Sequence, residues 1–136
     1  MAYEVNIENH GAGVVVTLTG IITGRDLIKV NQYIYDADPD KKLRYQIWDF
    51  NEVEILEIKT EDIQILVLQD VDEAHSNSNQ SVAIIGSLRT LQGIDSTYRY
   101  LSDYWVKTGF QSKSFSNMAA ARDWIANVPP PQDRKM

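Results

Sequence analysis

Cysteine is absent from the 136 residues, which removes disulfide frameworks, thiolate metal sites and thiol nucleophiles. Histidine is nearly absent: His10 and His75 lie far apart, without a serine or carboxylate in triad-like context, and both read as surface residues. Proline occurs four times, with Pro39 closing a helix and Pro129-Pro130-Pro131 ending the fold. No apolar run approaches the length needed to cross a bilayer, so membrane insertion is not expected. An excess of positive charge is missing as well. With 13 Lys and Arg against 19 Asp and Glu, the net charge of −6 argues against nucleic acid or an anionic membrane as the main partner. Met1-Ala2-Tyr3-Glu4-Val5 lacks the basic start and apolar run of a signal peptide, and a cytoplasmic location is the expectation.

What is present is an ordinary globular composition, 43% hydrophobic and 24% charged, in a length suited to one domain and one core. Tyr45-Gln46-Ile47-Trp48-Asp49-Phe50 reads as a buried strand, and Ser81-Val82-Ala83-Ile84-Ile85-Gly86 as a second. The helix expected between them makes a crossover unit, so the two strands should lie parallel in one sheet. Ligands of such sheets gather at the carboxyl ends of the strands, where Asp49 and Gly86 are expected.

Ahead of this unit, Tyr3–Asn9 alternates as a half-solvated strand, with Tyr3, Val5 and Ile7 on one face. His10-Gly11-Ala12-Gly13 is a turn into a second strand, Val14–Thr19, which Gly20 should break. Thr23 with Asp26 three residues on predicts a capped helix over Gly24–Asp36, its inner face marked by Leu27, Val30, Ile34 and Ala37. Asn51–Lys59 reads as a long connection. Thr60-Glu61-Asp62 opens the next helix, with the Thr60 hydroxyl as cap, and Ile63, Leu66, Val67, Val71 and Ala74 follow at core spacing. A long helix is expected from Leu88 to Thr108, striped by Leu91, Ile94, Tyr98, Leu101 and Trp105 and stopped by Gly109. Phe110–Phe115 is a short last strand, and Ser116 caps a final helix that buries Met118, Ala121, Trp124, Ile125 and Val128. The expected order is ββαβαβαβα, an α/β fold with a mixed, mainly parallel sheet, an N-terminal hairpin and about four helices. Residues 1–128 form one domain in this reading, and 129–136 a Pro-rich tail.

Each chemically suggestive residue has a plainer counterpart reading. Asp49 is either a ligand-binding carboxylate or an acceptor for the amides of its own turn, and the second is favoured. Gly86-Ser87 with Arg89 brings helix amides, a hydroxyl and a guanidinium together, which suits an anion, yet the spacing is not that of a phosphate loop. Between Asp49 and Asp62, six carboxylates face only Lys59, but the spacing matches no cation loop and a solvated acidic segment is expected. Asp70 falls inside an apolar arc and needs a partner, at the rim or on a neighbouring loop. Tyr100 lies nearly opposite the stripe of the long helix and Tyr104 beside it, so the two tyrosines are candidates for a partner or self-association surface.

Leu18-Thr19-Gly20-Ile21-Ile22-Thr23, Trp48-Asp49-Phe50, Thr60-Glu61-Asp62, Val82-Ala83-Ile84-Ile85 and the closing Phe110…Phe115…Ala119-Ala120-Ala121…Trp124-Ile125 together resemble the SpoIIAA-like (STAS-like) domains over nearly the whole chain. The resemblance implies a fold used for binding and regulation. Relatives that antagonise anti-sigma factors carry a phosphorylatable serine in an Asp-Ser-Ser-Gly-type turn before the second helix. The corresponding turn here is Glu57-Ile58-Lys59-Thr60-Glu61, where Thr60 is the only hydroxyl, and no phosphorylation switch is expected at it. The leading expectation is a non-catalytic cytoplasmic binding or regulatory module with a protein partner, without cofactor, metal or catalytic residues. The alternatives are a carrier of a small apolar or lipid-like ligand rimmed by Asp49, Ser87 and Arg89, and a phospho-regulated antagonist-like protein using Thr60.

Overall fold

The computed structural model describes residues 3–86 and 110–128. Alternation makes β1 (Tyr3–Glu8) an edge strand, with Tyr3 and Val5 packed on the core and Glu4 and Asn6 in solvent. Ile7, expected on the inner face, is instead 53% exposed. A 3-10 turn over Asn9–Gly11 reverses the chain into β2 (Gly13–Thr23), which pairs antiparallel with β1. The three later strands are β3 (Tyr45–Glu57), β4 (Ser81–Ile85) and β5 (Gln111–Phe115). They join in the order β1-β2-β3-β4-β5, with every pairing after the hairpin parallel. The expected mixed, mainly parallel sheet is therefore present.

Two strands run further than their residues suggest. Gly20 does not end β2: it takes φ 70°, next to a register shift, and the strand continues to Thr23. Asn51–Glu57 is not a connection but the second half of β3, paired with that continuation of β2. Its apolar residues Val53 and Leu56 are buried, and their burial holds the acidic segment in the sheet.

The helices are α1 (Gly24–Asp36), α2 (Thr60–Ala74) and α3 (Met118–Asn127) among the described residues. The long helix expected over Leu88–Thr108 lies outside them, as does the tail 129–136. Thr23 and Asp26 form the expected reciprocal cap of α1: each side chain accepts the other's backbone N–H, at 3.2 and 2.9 Å. At α2 the expectation fails. Lys59 occupies the cap position and Thr60 is the first helical residue, while the Asp62 carboxylate accepts the Lys59 N–H at 3.0 Å. At α3 the cap is Asn117 rather than Ser116, its side chain accepting the Ala120 N–H at 2.8 Å.

The two faces of the sheet carry separate cores. Val14, Val16, Leu18, Trp48 and Phe50 meet Leu27, Val30 and Ile34 of α1, with Leu66 of α2 at their margin. On the opposite face Val15, Ile47, Ala83 and Ile85 meet Ala121, Trp124 and Ile125 of α3.

A charged clasp joins the far ends of the chain. Arg122 on α3 donates to both carboxylate oxygens of Glu8, at 2.8 and 2.9 Å, and the Tyr45 hydroxyl donates to the same carboxylate. The Arg122 hydrogen bonds are the main reason why the Glu8 carboxyl falls from its ordinary 4.5 to about 2. A depressed folded-state value means that the stabilisation is complete above the unfolded chain's 4.5 and disappears as pH falls through about 2. Arg122 is 47% exposed. Solvent screening then keeps the pair's contribution near 1 kcal/mol, so Arg122→Met should cost about 1 kcal/mol at neutral pH. In urea titrations at stepped pH, the gap between the two proteins should close between pH 4.5 and about 2.

Candidate functional site

Because β4 pairs with β3 only over Tyr45–Asp49, β2 and β3 project past it as a two-stranded parallel ribbon. Its rungs are Thr19↔Glu52, Gly20↔Val53, Ile21↔Ile55, Ile22↔Leu56 and Thr23↔Glu57. Neighbouring residues of a strand point to opposite faces. Ile22, Val53 and Leu56 turn into the core shared with α1. Ile21 and Ile55 consequently stand side by side on the other face, 56% and 48% exposed. Glu52, Glu54 and Glu57, all exposed, flank them. The ribbon ends where α1 and α2 begin, so two helix N-termini adjoin it.

Of the residues singled out from the sequence, Asp49, Gly86 and Thr60 lie toward this end of the sheet. Asp49 does not end its strand; it sits in mid-strand, half-buried, opposite Ile85, the last residue of β4. Its Oδ1 accepts the Asn51 N–H at 3.0 Å, the local role favoured for it. Gly86 follows Ile85 directly, and its N–H donates to the Phe115 carbonyl at 3.0 Å. Asp49 and Gly86 therefore lie at neighbouring levels of the sheet, but only Gly86 follows the carboxyl end of a strand, where both were expected. Ser87 and Arg89 lie outside the described residues, and so do Tyr100 and Tyr104. Thr60 is exposed at the first turn of α2, and His10 and His75 are exposed. The carboxylates from Glu52 to Glu57 are strung along the ribbon, and no grouping of metal-ligating side chains occurs among the described residues.

In fold the chain is similar to the anti-sigma factor antagonist SpoIIAA in its unphosphorylated form, with a TM-score of 0.60 at 12% identity over 93% of this chain and all of that one. The chain has a SpoIIAA-like fold. An uncharacterised protein of the DUF3478 family from Shewanella loihica PV-4, itself described as SpoIIAA-like in fold, matches with a TM-score of 0.58 at 17% identity. That likeness covers 91% of this chain and 94% of the Shewanella protein. The phosphorylated form of the Bacillus cell fate determinant SpoIIAA gives 0.58 at 11% identity, covering 90% and 98%. No protein-family model and no curated protein matches the chain.

Within this SpoIIAA-like domain the sequence hid a buried polar chain. Gln46, inside the central strand and 2% exposed, accepts the Trp48 indole N–H at 2.9 Å and donates to Gln80 at 2.8 Å and to the Tyr35 hydroxyl at 3.3 Å. Tyr35 in turn donates to Asp70, which also accepts from Asn31 at 3.0 Å. Two partners of Asp70 are thus Asn31 and Tyr35 of α1. The chain links the middle of the sheet to the seam between α1 and α2, where a cleft of about 370 Å³ opens. A polar residue at a core position of an otherwise apolar pattern, Gln46 or Asn31, is the signal that would have revealed it.

Proposed function

We propose that this SpoIIAA-like domain is a non-catalytic module that binds a protein partner through the β2–β3 ribbon, with Ile21 and Ile55 at the centre of the contact. The observation that carries the reading is the adjacency of two large exposed isoleucines, in register, on strands that outrun their neighbour. Contact surfaces commonly pair an apolar centre with a polar rim, and here Glu52, Glu54 and Glu57 supply an acidic one. The partner's surface should accordingly be apolar at its centre and basic at its edge. Among the described residues no helix is long and apolar enough to cross a membrane.

The test is capture from cell extract with the wild-type protein beside an Ile21→Lys/Ile55→Lys variant. Both positions are exposed, so the fold should tolerate the change. The partner held by wild type should be lost, its affinity falling at least roughly tenfold as central contacts typically require. Equal retention by the variant would overturn the reading. A wild-type protein that sediments as a dimer, and a variant that sediments as a monomer, would show that the ribbon serves a second copy of the chain instead.

A further inference from the structure

Glu73 is an acid kept inside the protein with half its carboxylate unused. It lies on the last turns of α2, 4% exposed, and its Oε1 accepts from the Lys41 ammonium at 3.0 Å. Its Oε2 is buried and has no hydrogen-bond partner among the described residues. A buried carboxylate oxygen without a donor carries a substantial penalty, and native proteins contain few such groups. The same residue lines the cleft between α1 and α2. Asp36 and Asp72 line it too, against the single cation Lys41, and Leu68 and Ile65 form an apolar wall. This cleft lies toward the C-terminal ends of both helices, whereas the ribbon adjoins their N-terminal ends, so the two sites are independent.

We propose that the α1–α2 cleft binds an alkylguanidinium group, which engages both oxygens of Glu73 while Leu68 and Ile65 cover its stem. An ammonium is a point donor and leaves Oε2 empty, as Lys41 does. A guanidinium offers two parallel N–H donors in a fixed fork matched to a carboxylate. Lys41 is 36% exposed, so its side chain can turn to solvent and yield its place at Oε1. Asp36 and Asp72 then balance the incoming charge. The volume of about 370 Å³ accommodates one such side chain or a small free ligand. Both a free guanidino compound and an arginine of a peptide carry this chemistry.

The experiment titrates agmatine, and separately a blocked arginine tripeptide, into the protein at low salt, followed by NMR shifts of Ile65 and Leu68 methyls and by calorimetry. Ammonium ligands of equal charge are the controls, 1,4-diaminobutane for agmatine and a blocked lysine tripeptide for the arginine one. Each guanidinium ligand should bind at least roughly tenfold more tightly than its ammonium counterpart, since only it satisfies both oxygens. Glu73→Gln should abolish this preference. Lys41→Met, which removes the internal competitor, should tighten agmatine binding several-fold and keeps the test valid if Glu73→Gln fails to fold. Tighter binding of agmatine assigns the cleft to a small molecule, and tighter binding of the tripeptide to a partner's arginine. Equal affinity for guanidinium and ammonium ligands of the same charge, unchanged binding by Glu73→Gln, or no binding by either guanidinium would each overturn the proposal.

Discussion

Gln46→Leu should lower the unfolding free energy by about 3 kcal/mol, although leucine fits the space and opens no cavity. The loss comes from the partners left behind. The Trp48 indole N–H and the Gln80 side-chain oxygen both bond to the Gln46 amide at under 3 Å, and Gln46 and Gln80 are 2% and 0% exposed. Each buried group deprived of its partner costs about 1–3 kcal/mol, and two of them set the expected total. Urea unfolding followed by tryptophan fluorescence measures it, with an unchanged slope showing that the compactness of the end states is preserved. Exchanging both glutamines for leucine should recover part of the loss, because apolar replacement of a whole pair removes the orphaned oxygen along with its former donor. A single-variant loss below about 1 kcal/mol would mean that these groups find other partners.

Gly13→Ala should cost about 2 kcal/mol, for a reason of close approach rather than backbone conformation. A Cβ added at Gly13 would lie 2.0 Å from the Tyr45 ring carbon that carries the hydroxyl. That ring is held over the glycine by its hydroxyl, which donates to Glu8 and accepts from Asn9 at 2.6 Å. To admit a methyl group, Tyr45 must swing away and give up its place in the Glu8–Arg122 clasp. The same substitution made in a Tyr45→Ser background should therefore cost under about 0.5 kcal/mol, a strong departure from additivity. Additive costs would show that backbone strain, not the ring, requires glycine here.

These particulars mark where the sequence could be read and where it could not. Alternation along Tyr3–Asn6, the spacing of Leu27, Val30 and Ile34 and the Thr23–Asp26 cap are local signals that the structure contains, whereas Ile7 and Ala37, expected inward, are exposed. The parallel pairing of β3 with β4 followed from the helix expected between them. The ribbon did not follow, because Gly20 and the acidic run after Phe50 are local signals of interruption that pairing overrides. Gly20 takes a positive φ inside a continuing strand, and Val53 and Leu56 anchor the run through the opposite face. Burial of polar groups was the other blind spot. Glu73 is absent from the core positions expected on α2, yet it is more buried than Val71, Ala74 or Leu66, which were expected there. Its environment is made by Lys41, 32 positions earlier, and Arg122 meets Glu8 across 114. Nothing in a local pattern encodes contacts of that range.

The claim that matters most is that the ribbon, and not another apolar patch, is the surface this domain offers to a partner. Isoleucine-methyl NMR on the protein, titrated with the partner captured by wild type, addresses it residue by residue. Ile7 serves as the internal control, because it is 53% exposed on β1 and stands apart from the ribbon. The account predicts that the Ile21 and Ile55 methyl signals shift or broaden on binding while Ile7 stays in place. Movement of Ile7, with Ile21 and Ile55 undisturbed, would contradict it.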